Sequence, residues 1–325
     1  MKTPSAGGPW RGLHVLDSGA SSLPAILRLI REILVPAGAN VLVYEIDFNL
    51  RFASHTELAG KDAWDRESVE TLAAACRGEG IRLIPQVNCL GHQSWLEPPG
   101  ALLSARPDLE EPPNGTAPEN TLGSGKFYCR SWCPRHPDVH PLIFGLLDEL
   151  IATFGCDAFH VGMDEVFVLA SPHCPRCGGA DPADAFAEEV NALAGHLKRR
   201  GQETLMWADR FLDGKATGYG LWEGSENGTA QAIDLIPKDV VMCDWHYEGG
   251  VQGAFPSLEI FRSKGFRVWP TVWKHLEGAR TFMRVAAARN DPGVLGTLAS
   301  VWTPAARIAE ALLDGTGNAD ARATA

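Results

Sequence analysis

Residues 158–167 of this chain read AFHVGMDEVF, an apolar run that ends abruptly in two adjacent carboxylates. A short apolar run is typical of a buried β-strand, so Asp164 and Glu165 are predicted to lie at the carboxyl end of a strand. In barrel enzymes the catalytic residues sit at that end of the strands. A strand end whose acids cap the next helix is the alternative. The dipeptide by itself does not choose between these two interpretations.

The whole chain of 325 residues alternates between strand-like and helix-like segments. Apolar runs predict strands at 13–16, 40–47, 81–88, 158–165, 203–209, 240–247, 267–273 and 294–302. Helical spacing follows at 23–35, 66–77, 140–154, 183–200, 230–236, 257–264, 279–288 and 305–313. Eight such units predict an α/β fold, a single-domain (β/α)8 TIM barrel. A doubly wound sheet also alternates, but its Gly-rich phosphate turn is missing from this sequence.

The barrel is predicted to span residues 11–314, between an N-terminal tail at 1–10 and a polar C-terminal tail at 315–325. Within it, residues 97–137 are rich in Pro, Gly and Asn and show little periodicity. That is long for a connection in a compact domain, and loops of this length are usually functional when ordered. We expect this long loop to lie over the active site.

Composition and charge narrow the possible partners. The net charge is −11, from 29 Lys and Arg against 40 Asp and Glu, so neither nucleic acid nor an anionic membrane is an expected partner. A neutral or cationic ligand fits better. No apolar run of about 18 residues occurs, and the first residues lack the apolar stretch of a signal peptide. We expect a cytoplasmic protein, and secretion stays open if a leader was trimmed.

The chain has eight cysteines, four of which invite a metal interpretation. Cys129, Cys133, Cys174 and Cys177 could hold a structural zinc ion. Against this, the spacing between Cys129 and Cys133 is unlike that of a zinc knuckle, and buried cysteines commonly serve as small apolar residues. We expect catalysis to need no metal and no cofactor, and structural zinc stays as the second interpretation.

The predicted strand ends bring carboxylates and tryptophans to one mouth of the barrel. A pyranose ring has C–H faces that stack on indole rings and hydroxyl edges that need polar partners. The combination therefore predicts a sugar site. Its candidate residues are Glu45, Asp47, His92, His160, Asp164, Glu165, Trp207, Asp209, Asp244, Trp245, Tyr247, Trp273 and Trp302.

The pattern His-x-Gly-x-Asp-Glu at residues 160–165 resembles the signature of glycoside hydrolase family 20, the β-N-acetylhexosaminidases, with Met163 where glycine is frequent. The resemblance spans most of the chain. It implies that Glu165 is the general acid/base and that Asp164 orients the 2-acetamido group of the substrate. It also implies retention by substrate-assisted catalysis, in which the acetamido oxygen attacks C1. Tyr247 matches the family tyrosine that hydrogen-bonds this oxygen.

Further positions are similar to supporting residues of the family. Trp207, Trp273 and Trp302 resemble the aromatic box around the acetamido methyl group and the sugar face. His92, in a Leu-Gly-His turn after the third strand, resembles the family's Pro-Gly-His turn, and His160 resembles its supporting histidine. We expect both histidines to support the site, and a purely structural role is the alternative.

Two residues that hold sugar hydroxyls in many members of the family are absent. No Arg follows Asp17 at the end of the first strand, and no Glu stands two residues after Trp302. Glu45, Asp47, Arg51 and Asp209 are the expected replacements. The resemblance therefore implies the mechanism more firmly than the identity of the sugar.

We predict an exo-acting β-N-acetylhexosaminidase, a hydrolase of carbohydrate metabolism that removes a terminal 2-acetamido sugar from an oligosaccharide or glycoconjugate. N-acetylglucosamine, N-acetylgalactosamine and a modified 2-acetamido sugar all stay open as the substrate, and a homodimer stays open as the assembly. One alternative is a glycosidase in which a distant carboxylate such as Asp244 acts as nucleophile on sugars without an acetamido group. Another is a catalytically weak sugar-binding barrel, which the missing Arg and Glu would suit.

Overall fold

The computed structural model describes residues 8–95, 98–112, 129–251 and 253–315. Its framework is a closed barrel of eight parallel strands, which confirms the predicted (β/α)8 architecture. Each strand pairs with its neighbours in the sequence, and the last closes the barrel against the first. The strands are β1 Trp10–Leu16, β2 Val41–Glu45, β3 Arg82–Cys89, β4 Ala158–Gly162, β5 Glu203–Trp207, β6 Val241–Trp245, β7 Arg267–Val272 and β8 Gly296–Pro304.

Side chains alternate between the inside of the barrel and the layer of helices around it, as the two-residue period of a strand requires. In β6, Val241, Cys243 and Trp245 belong to the interior cluster, whereas Met242 packs in the outer apolar layer. The inward side chains fill the barrel, so it is a packed core and not a pore. A ligand site built on these strands therefore lies above this core, at their carboxyl ends.

Helices surround the barrel and use the start and stop residues that the sequence marks. Asp181 caps the helix after β4 by accepting the Ala183 N–H at 2.8 Å, a contact of about 1 kcal/mol, and Pro182 occupies its first turn. None of the described helices is long and apolar enough to cross a lipid bilayer. The α-helices are α1 Leu23–Leu29, α2 Arg66–Gly78, α3 Ala101–Ala105, α4 Val139–Phe154, α5 Pro182–Arg199, α6 Gly214–Thr217, α7 Gly220–Glu223, α8 Pro256–Ser263, α9 Leu276–Ala288 and α10 Ala305–Ala309.

Three predicted helices differ from the structure in type. α1 and α10 continue as the π-helical segments Ile30–Leu34 and Glu310–Asp314. The helix predicted at 230–236 is the 3-10 helix Thr229–Asp234. Apolar periodicity locates a helical segment but does not separate these types, because their periods are close.

The segment predicted as a long loop contains regular structure of its own. It includes α3, and Glu110–Glu111 pairs with Ser131–Trp132 in an antiparallel ribbon. The ribbon is joined to the turn after β3, because the Trp132 N–H donates to the Leu90 carbonyl at 3.0 Å. Residues 113–128 lie outside the described residues, so the expectation that the whole loop covers the site stays a prediction.

Candidate active site

Three side chains from two adjacent strand ends form the centre of the site. Nε2 of His92, which follows β3, lies 3.3 Å from Oδ2 of Asp164 and 3.2 Å from Oε2 of Glu165, which follow β4. The side chain of Asp164 is 4% exposed and that of Glu165 is 13% exposed. One imidazole nitrogen therefore contacts both carboxylates, and a substrate reaches Glu165 more easily than Asp164.

The two turns that carry these residues have left-handed backbone conformations. The φ angle is 52° at His92, 69° at Met163 and 48° at Glu165. Residues other than glycine rarely adopt such angles, and strain of this kind concentrates at functional sites. The turns also approach each other closely, since a Cβ at Gly91 would lie 2.9 Å from Cγ2 of Val166. A side chain at position 91 would therefore push His92 away from the acid pair.

Asp209, expected to bind sugar hydroxyls, supports the acid pair instead. Its Oδ2 accepts the backbone N–H of Glu165 at 3.0 Å, and its Oδ1 accepts the indole N–H of Trp245 at 3.2 Å. Nε of the buried Arg210 also donates to Oδ2, at 2.6 Å. Both oxygens are thus occupied by protein donors, and the predicted sugar contact is corrected to a positioning role for Asp209.

Tyr247 stands in the middle of the aromatic residues at the mouth. Its hydroxyl accepts the indole N–H of Trp302 at 2.7 Å and lies 3.0 Å from the Ser300 hydroxyl. Its ring stacks on Trp245 with centroids 4.8 Å apart and meets the edge of Trp273 at 5.3 Å. The phenol is therefore oriented by contacts on several sides, and the role of Trp245 is to pack against it.

Of the three tryptophans predicted to form an aromatic box, one is fully buried and forms the floor of the site. Trp207 is fully buried, with ring centroids 5.7 Å from Trp302 and 4.4 Å from His160. His160 is also fully buried, so it supports Trp207 from inside the barrel and does not reach a substrate. The indole N–H groups of Trp207 and Trp273 are buried and donate to none of the described residues. Since buried polar groups normally have a partner, these two mark positions for a ligand or water.

An aromatic residue that the sequence analysis did not single out completes the wall. Trp95 is 40% exposed, and its ring centroid lies 4.6 Å from that of His92 and 5.8 Å from that of Trp302. An exposed indole beside polar groups is suited to stack on a sugar face. Its position three residues after His92 is a sequence signal that could have identified it.

The electrostatic surroundings of this centre favour a protonated imidazole at His92. Burial has the largest single effect and lowers the pKa of His92, but the charges and hydrogen bonds of Asp164 and Cys129 together outweigh it and raise that pKa well above its usual value. Burial raises the pKa of the Tyr247 hydroxyl well above its usual value, and the charges of Asp164 and Glu165 raise it further. At neutral pH His92 is therefore an imidazolium and Tyr247 a neutral hydrogen-bond donor.

Glu45 lies inside the barrel, where it binds neighbouring side chains. Its Oε2 lies 3.0 Å from Nε2 of His14 and accepts the Gln86 amide at 2.7 Å. Its Oε1 accepts the Asn88 amide at 2.9 Å. These buried contacts satisfy both oxygens, so the predicted sugar contact of Glu45 is corrected to a structural role.

Asp47 is better placed to meet a ligand. With His92 and Trp95 it lines a cavity of about 260 Å³ on the His92 side of the acid pair. Its Oδ1 accepts the Asn88 N–H at 2.8 Å, and burial together with the charge of Glu45 raises its pKa to about 7. Among the four expected replacements for the missing Arg and Glu, Asp47 is the one that lines this cavity.

Asp17, which follows the first strand, is bound by neighbouring side chains. Its carboxylate accepts the Tyr44 hydroxyl at 2.7 Å, the Trp64 indole N–H at 2.7 Å and the Asn49 amide at 2.5 Å. The Gly19 N–H adds a fourth donor at 2.9 Å. Neutral donors thus saturate this carboxylate, so it needs no cationic partner.

Asp244 has the wrong orientation for the role that the sequence predicts. The residues on either side of it, Cys243 and Trp245, point into the barrel, so the strand pleat turns Asp244 toward the helices. There its Oδ2 accepts the Ser257 hydroxyl of α8 at 2.8 Å, and its Oδ1 lies 3.1 Å from Nε2 of His246. The prediction of a substrate contact at Asp244 is therefore wrong, and so is its use as a nucleophile.

Behind β6, His246 belongs to a buried charge network that holds Tyr247. Glu223 of α7 accepts the Tyr247 backbone N–H at 3.0 Å and lies 2.6 Å from Nδ1 of His246. Burial alone lowers the pKa of His246, but the charges and hydrogen bonds of Asp244 and Glu223 outweigh it and raise the pKa to about 9. At neutral pH the imidazolium therefore joins two carboxylates behind the site.

We expect the stabilisation from His246 to fall as the pH rises. Its pKa of about 9 lies above the ordinary 6.5, so the stabilisation is complete below about pH 6.5 and is lost as the pH rises through 9. The free energy of unfolding of wild type minus that of His246→Gln, measured by urea denaturation at about pH 6, 7.5 and 9.5, should shrink along the series. A difference that is constant or grows with pH would contradict the raised pKa, because the two proteins share every other titrating group.

The structure changes the membership of the predicted cysteine cluster. Cys133, Cys174 and Cys177 lie together, and the fourth position is taken by Glu111. Cys129 is outside this group, and its Sγ accepts the backbone N–H of His92 at 2.9 Å. The predicted set is therefore wrong in one member, because Cys129 turns toward His92.

The sequence and the fold both match known proteins. Residues 48–312 match the family described as glycosyl hydrolase family 20, catalytic domain. A beta-hexosaminidase of Akkermansia muciniphila is 25% identical over 223 residues, which cover 65% of this chain and 43% of that protein. The chain thus spans less than half the length of this relative.

Solved structures share the barrel at lower identity. One is the exo beta-N-acetylglucosaminidase of Vibrio harveyi, solved in complex with N-acetylglucosamine, which matches with a TM-score of 0.65 and 17% sequence identity. The match covers 90% of this chain and 50% of the Vibrio harveyi chain. Dispersin B matches with a TM-score of 0.57 and 16% sequence identity, and the match covers 98% of this chain and 96% of the Dispersin B chain. At these identities the likeness shows the fold alone. The family match over most of the chain, together with the acid pair at the end of β4, identifies the chain as a member of glycosyl hydrolase family 20.

Proposed function

We propose that this chain is an exo-acting, retaining β-N-acetylhexosaminidase that works by substrate-assisted catalysis. The observation that carries the proposal is the contact of one His92 nitrogen with both Asp164 and Glu165. Ordinary retaining glycosidases need carboxyl groups about 5 Å apart that flank the scissile bond as acid and nucleophile. Asp164 and Glu165 are instead adjacent residues of one turn that contact the same imidazole nitrogen, and this arrangement suits two acids that serve different atoms of one sugar.

The surroundings of the two acids divide their roles. Oδ1 of Asp164 is buried and accepts no hydrogen bond from the described residues. A buried carboxylate oxygen without a donor is costly, and the N–H of a 2-acetamido group is a donor of the right kind. Glu165 is the more exposed acid, so it is the one that reaches the oxygen of the leaving group.

These roles give a complete reaction without an enzyme nucleophile. In the first step the acetamido oxygen attacks C1, the bond from C1 to the leaving oxygen breaks, and Glu165 donates its proton to that oxygen. The charge of Asp164 stabilises the positive charge that develops on the acetamido group, while Tyr247 donates a hydrogen bond to the acetamido oxygen. In the second step Glu165 removes a proton from water, the water oxygen attacks C1, and the acetamido oxygen leaves. Two inversions at C1 give net retention.

The aromatic residues favour a terminal sugar. Trp207 closes the floor of the site, and Trp273 and Trp302 stand around Tyr247. Trp95 adds an exposed indole at the rim. A site with a closed floor accepts the end of a chain more readily than its middle, which supports exo action.

The names of the relatives support the same substrate class. The Akkermansia muciniphila protein is named a beta-hexosaminidase, and the Vibrio harveyi structure is that of an exo beta-N-acetylglucosaminidase. We carry over only the class, a terminal 2-acetamido sugar on an oligosaccharide or glycoconjugate. The choice between N-acetylglucosamine and N-acetylgalactosamine depends on hydroxyl contacts for which this chain has its own residues, with Asp47 the foremost.

A panel of 4-nitrophenyl β-glycosides tests the proposal. We expect turnover of the N-acetylglucosaminide or the N-acetylgalactosaminide, no comparable turnover of the glucoside, and competitive inhibition by a thiazoline analogue of the intermediate. The first product anomer, followed by NMR, should be β. Comparable cleavage of the glucoside without thiazoline inhibition would favour an enzyme nucleophile. Sugar binding without turnover, unchanged by Glu165→Gln, would favour the sugar-binding barrel.

A further inference from the structure

We propose that Glu111, Cys133, Cys174 and Cys177 bind one zinc ion that joins three segments at the catalytic face. One potential ligand atom from each residue lies within 4.8 Å of all the others. All four residues are buried, and the three cysteines form a cluster of their own, separate from the apolar cores. This site is distinct from the His92 centre and does not depend on the function proposed above.

The distances between the side chains suit a shared metal. Sγ of Cys133 lies 3.6 Å from Sγ of Cys174. Two sulfurs bound to a tetrahedral zinc ion at about 2.3 Å lie roughly 3.8 Å apart, whereas a disulfide bond is about 2.0 Å long. Sγ of Cys177 lies 2.8 Å from Oε1 of Glu111, which completes a set of three sulfurs and one oxygen.

The local sequence also forms a turn of the metal-binding kind. Cys174 and Cys177 are separated by two residues, the spacing of the first ligand pair in many zinc sites. The Gly178 N–H donates to the Cys174 carbonyl at 2.9 Å and closes the turn. A Cβ at position 178 would lie 2.5 Å from that carbonyl oxygen, so the turn requires glycine there. Both sulfurs are thereby held in one orientation.

Glu111 is the observation that points to a cation and not merely to three thiols. Its Oε1 accepts the Ser171 N–H at 2.9 Å, but its buried Oε2 has no hydrogen-bond partner among the described residues. The guanidinium of Arg176 donates to the carbonyls of Asp108 and Glu110 and interacts with the side chains of Cys133 and Cys174, but it makes no hydrogen bond to this oxygen. A buried carboxylate without a compensating charge is costly. A metal ion bound to the carboxylate and the sulfurs supplies that charge.

Such an ion would have a structural function. Four protein ligands leave no open coordination position for substrate or water, which is typical of structural zinc sites. The ion would connect the ribbon to the segment that follows Glu165, through Glu111 and Cys133 on one side and Cys174 and Cys177 on the other. Because the Trp132 N–H binds the carbonyl of Leu90, two residues before His92, the ion would also hold the His92 turn in register with the acid pair.

Metal analysis of the whole chain, purified without chelator from zinc-supplemented medium, tests the proposal. We expect about one zinc per chain and an X-ray absorption spectrum fitted by three sulfurs at about 2.3 Å and one oxygen at about 2.0–2.2 Å. Cys174→Ser/Cys177→Ser should lose the metal, and Glu111→Gln should weaken zinc binding at least about tenfold. Cys156→Ser is the matched control, because that half-buried cysteine is outside the cluster, and it should keep the zinc.

A measurement on the wild-type chain covers the case in which the double variant does not fold. A strong chelator should lower the melting temperature of the wild type, and added zinc should restore it. The proposal is overturned if the folded wild type contains no metal and takes up none from zinc solution. Iron in place of zinc would overturn it, as would a Cys133–Cys174 disulfide detected by non-reducing mass spectrometry.

Discussion

Glu165→Gln should reduce kcat on a β-N-acetylhexosaminide by about 10²- to 10⁴-fold, which is the usual rate enhancement from a general acid/base. The amide has nearly the same size as the carboxyl group, and the backbone N–H of residue 165, which donates to Asp209, is left intact by the substitution. The variant therefore keeps its geometry and loses only proton transfer. The loss should be larger for a disaccharide than for a 4-nitrophenyl glycoside, because the nitrophenolate leaves with less need of a proton.

Comparison of the two leaving groups identifies the step that is affected. A Glu277→Gln variant is a suitable control and should leave kcat unchanged, since this exposed residue lies on α9 and pairs with Arg280. A residual kcat for Glu165→Gln within about tenfold of wild type on the disaccharide would contradict the assignment of Glu165 as proton donor.

Asp164→Asn should lower kcat by about 10²- to 10³-fold, comparable with the loss of a preorganised electrostatic contact to the transition state. The acetamido group becomes positively charged as it attacks C1, and a buried carboxylate stabilises that charge where an amide does not. Because the thiazoline analogue shares this part of the intermediate, its inhibition constant should rise together with the loss of turnover.

Glu165→Gln serves as the internal control for this prediction. Residue 165 is assigned to the leaving group and not to the acetamido group, so this variant should still bind the thiazoline tightly while Asp164→Asn does not. If Asp164→Asn binds the thiazoline as tightly as wild type, Asp164 does not contact the acetamido group, and the substrate-assisted mechanism loses its main support.

The limits of sequence reasoning are clearest at the polar residues of the strand ends. Position at a strand end is a local property, and it correctly placed Asp164, Glu165 and Tyr247 at the mouth. Whether a carboxylate is available to a substrate depends on donors from other strands. Those donors occupy Asp209 and turn Asp244 into a partner of α8.

The cysteines show the same dependence on tertiary structure. The sequence groups Cys129 with three other cysteines, since thiols are the conspicuous ligands. The ribbon instead brings Glu111 to Cys133, Cys174 and Cys177, and Cys129 turns toward His92. Glu111 lies 22 residues before Cys133 in the chain, so no spacing rule relates it to the three cysteines of the cluster.

The sequence by itself determined the barrel and its acid pair. Both are marked by patterns among residues that are close together in the chain, namely the alternation of apolar runs with helical spacing and the motif at 160–165. Tertiary structure alone decided which polar groups are free to meet a ligand. It brought His92 to the acid pair, set Trp95 at the rim and placed Glu111 among the cysteines. The physical reason is that a buried charged group needs hydrogen-bond partners, and these partners come from strands that are distant in the chain.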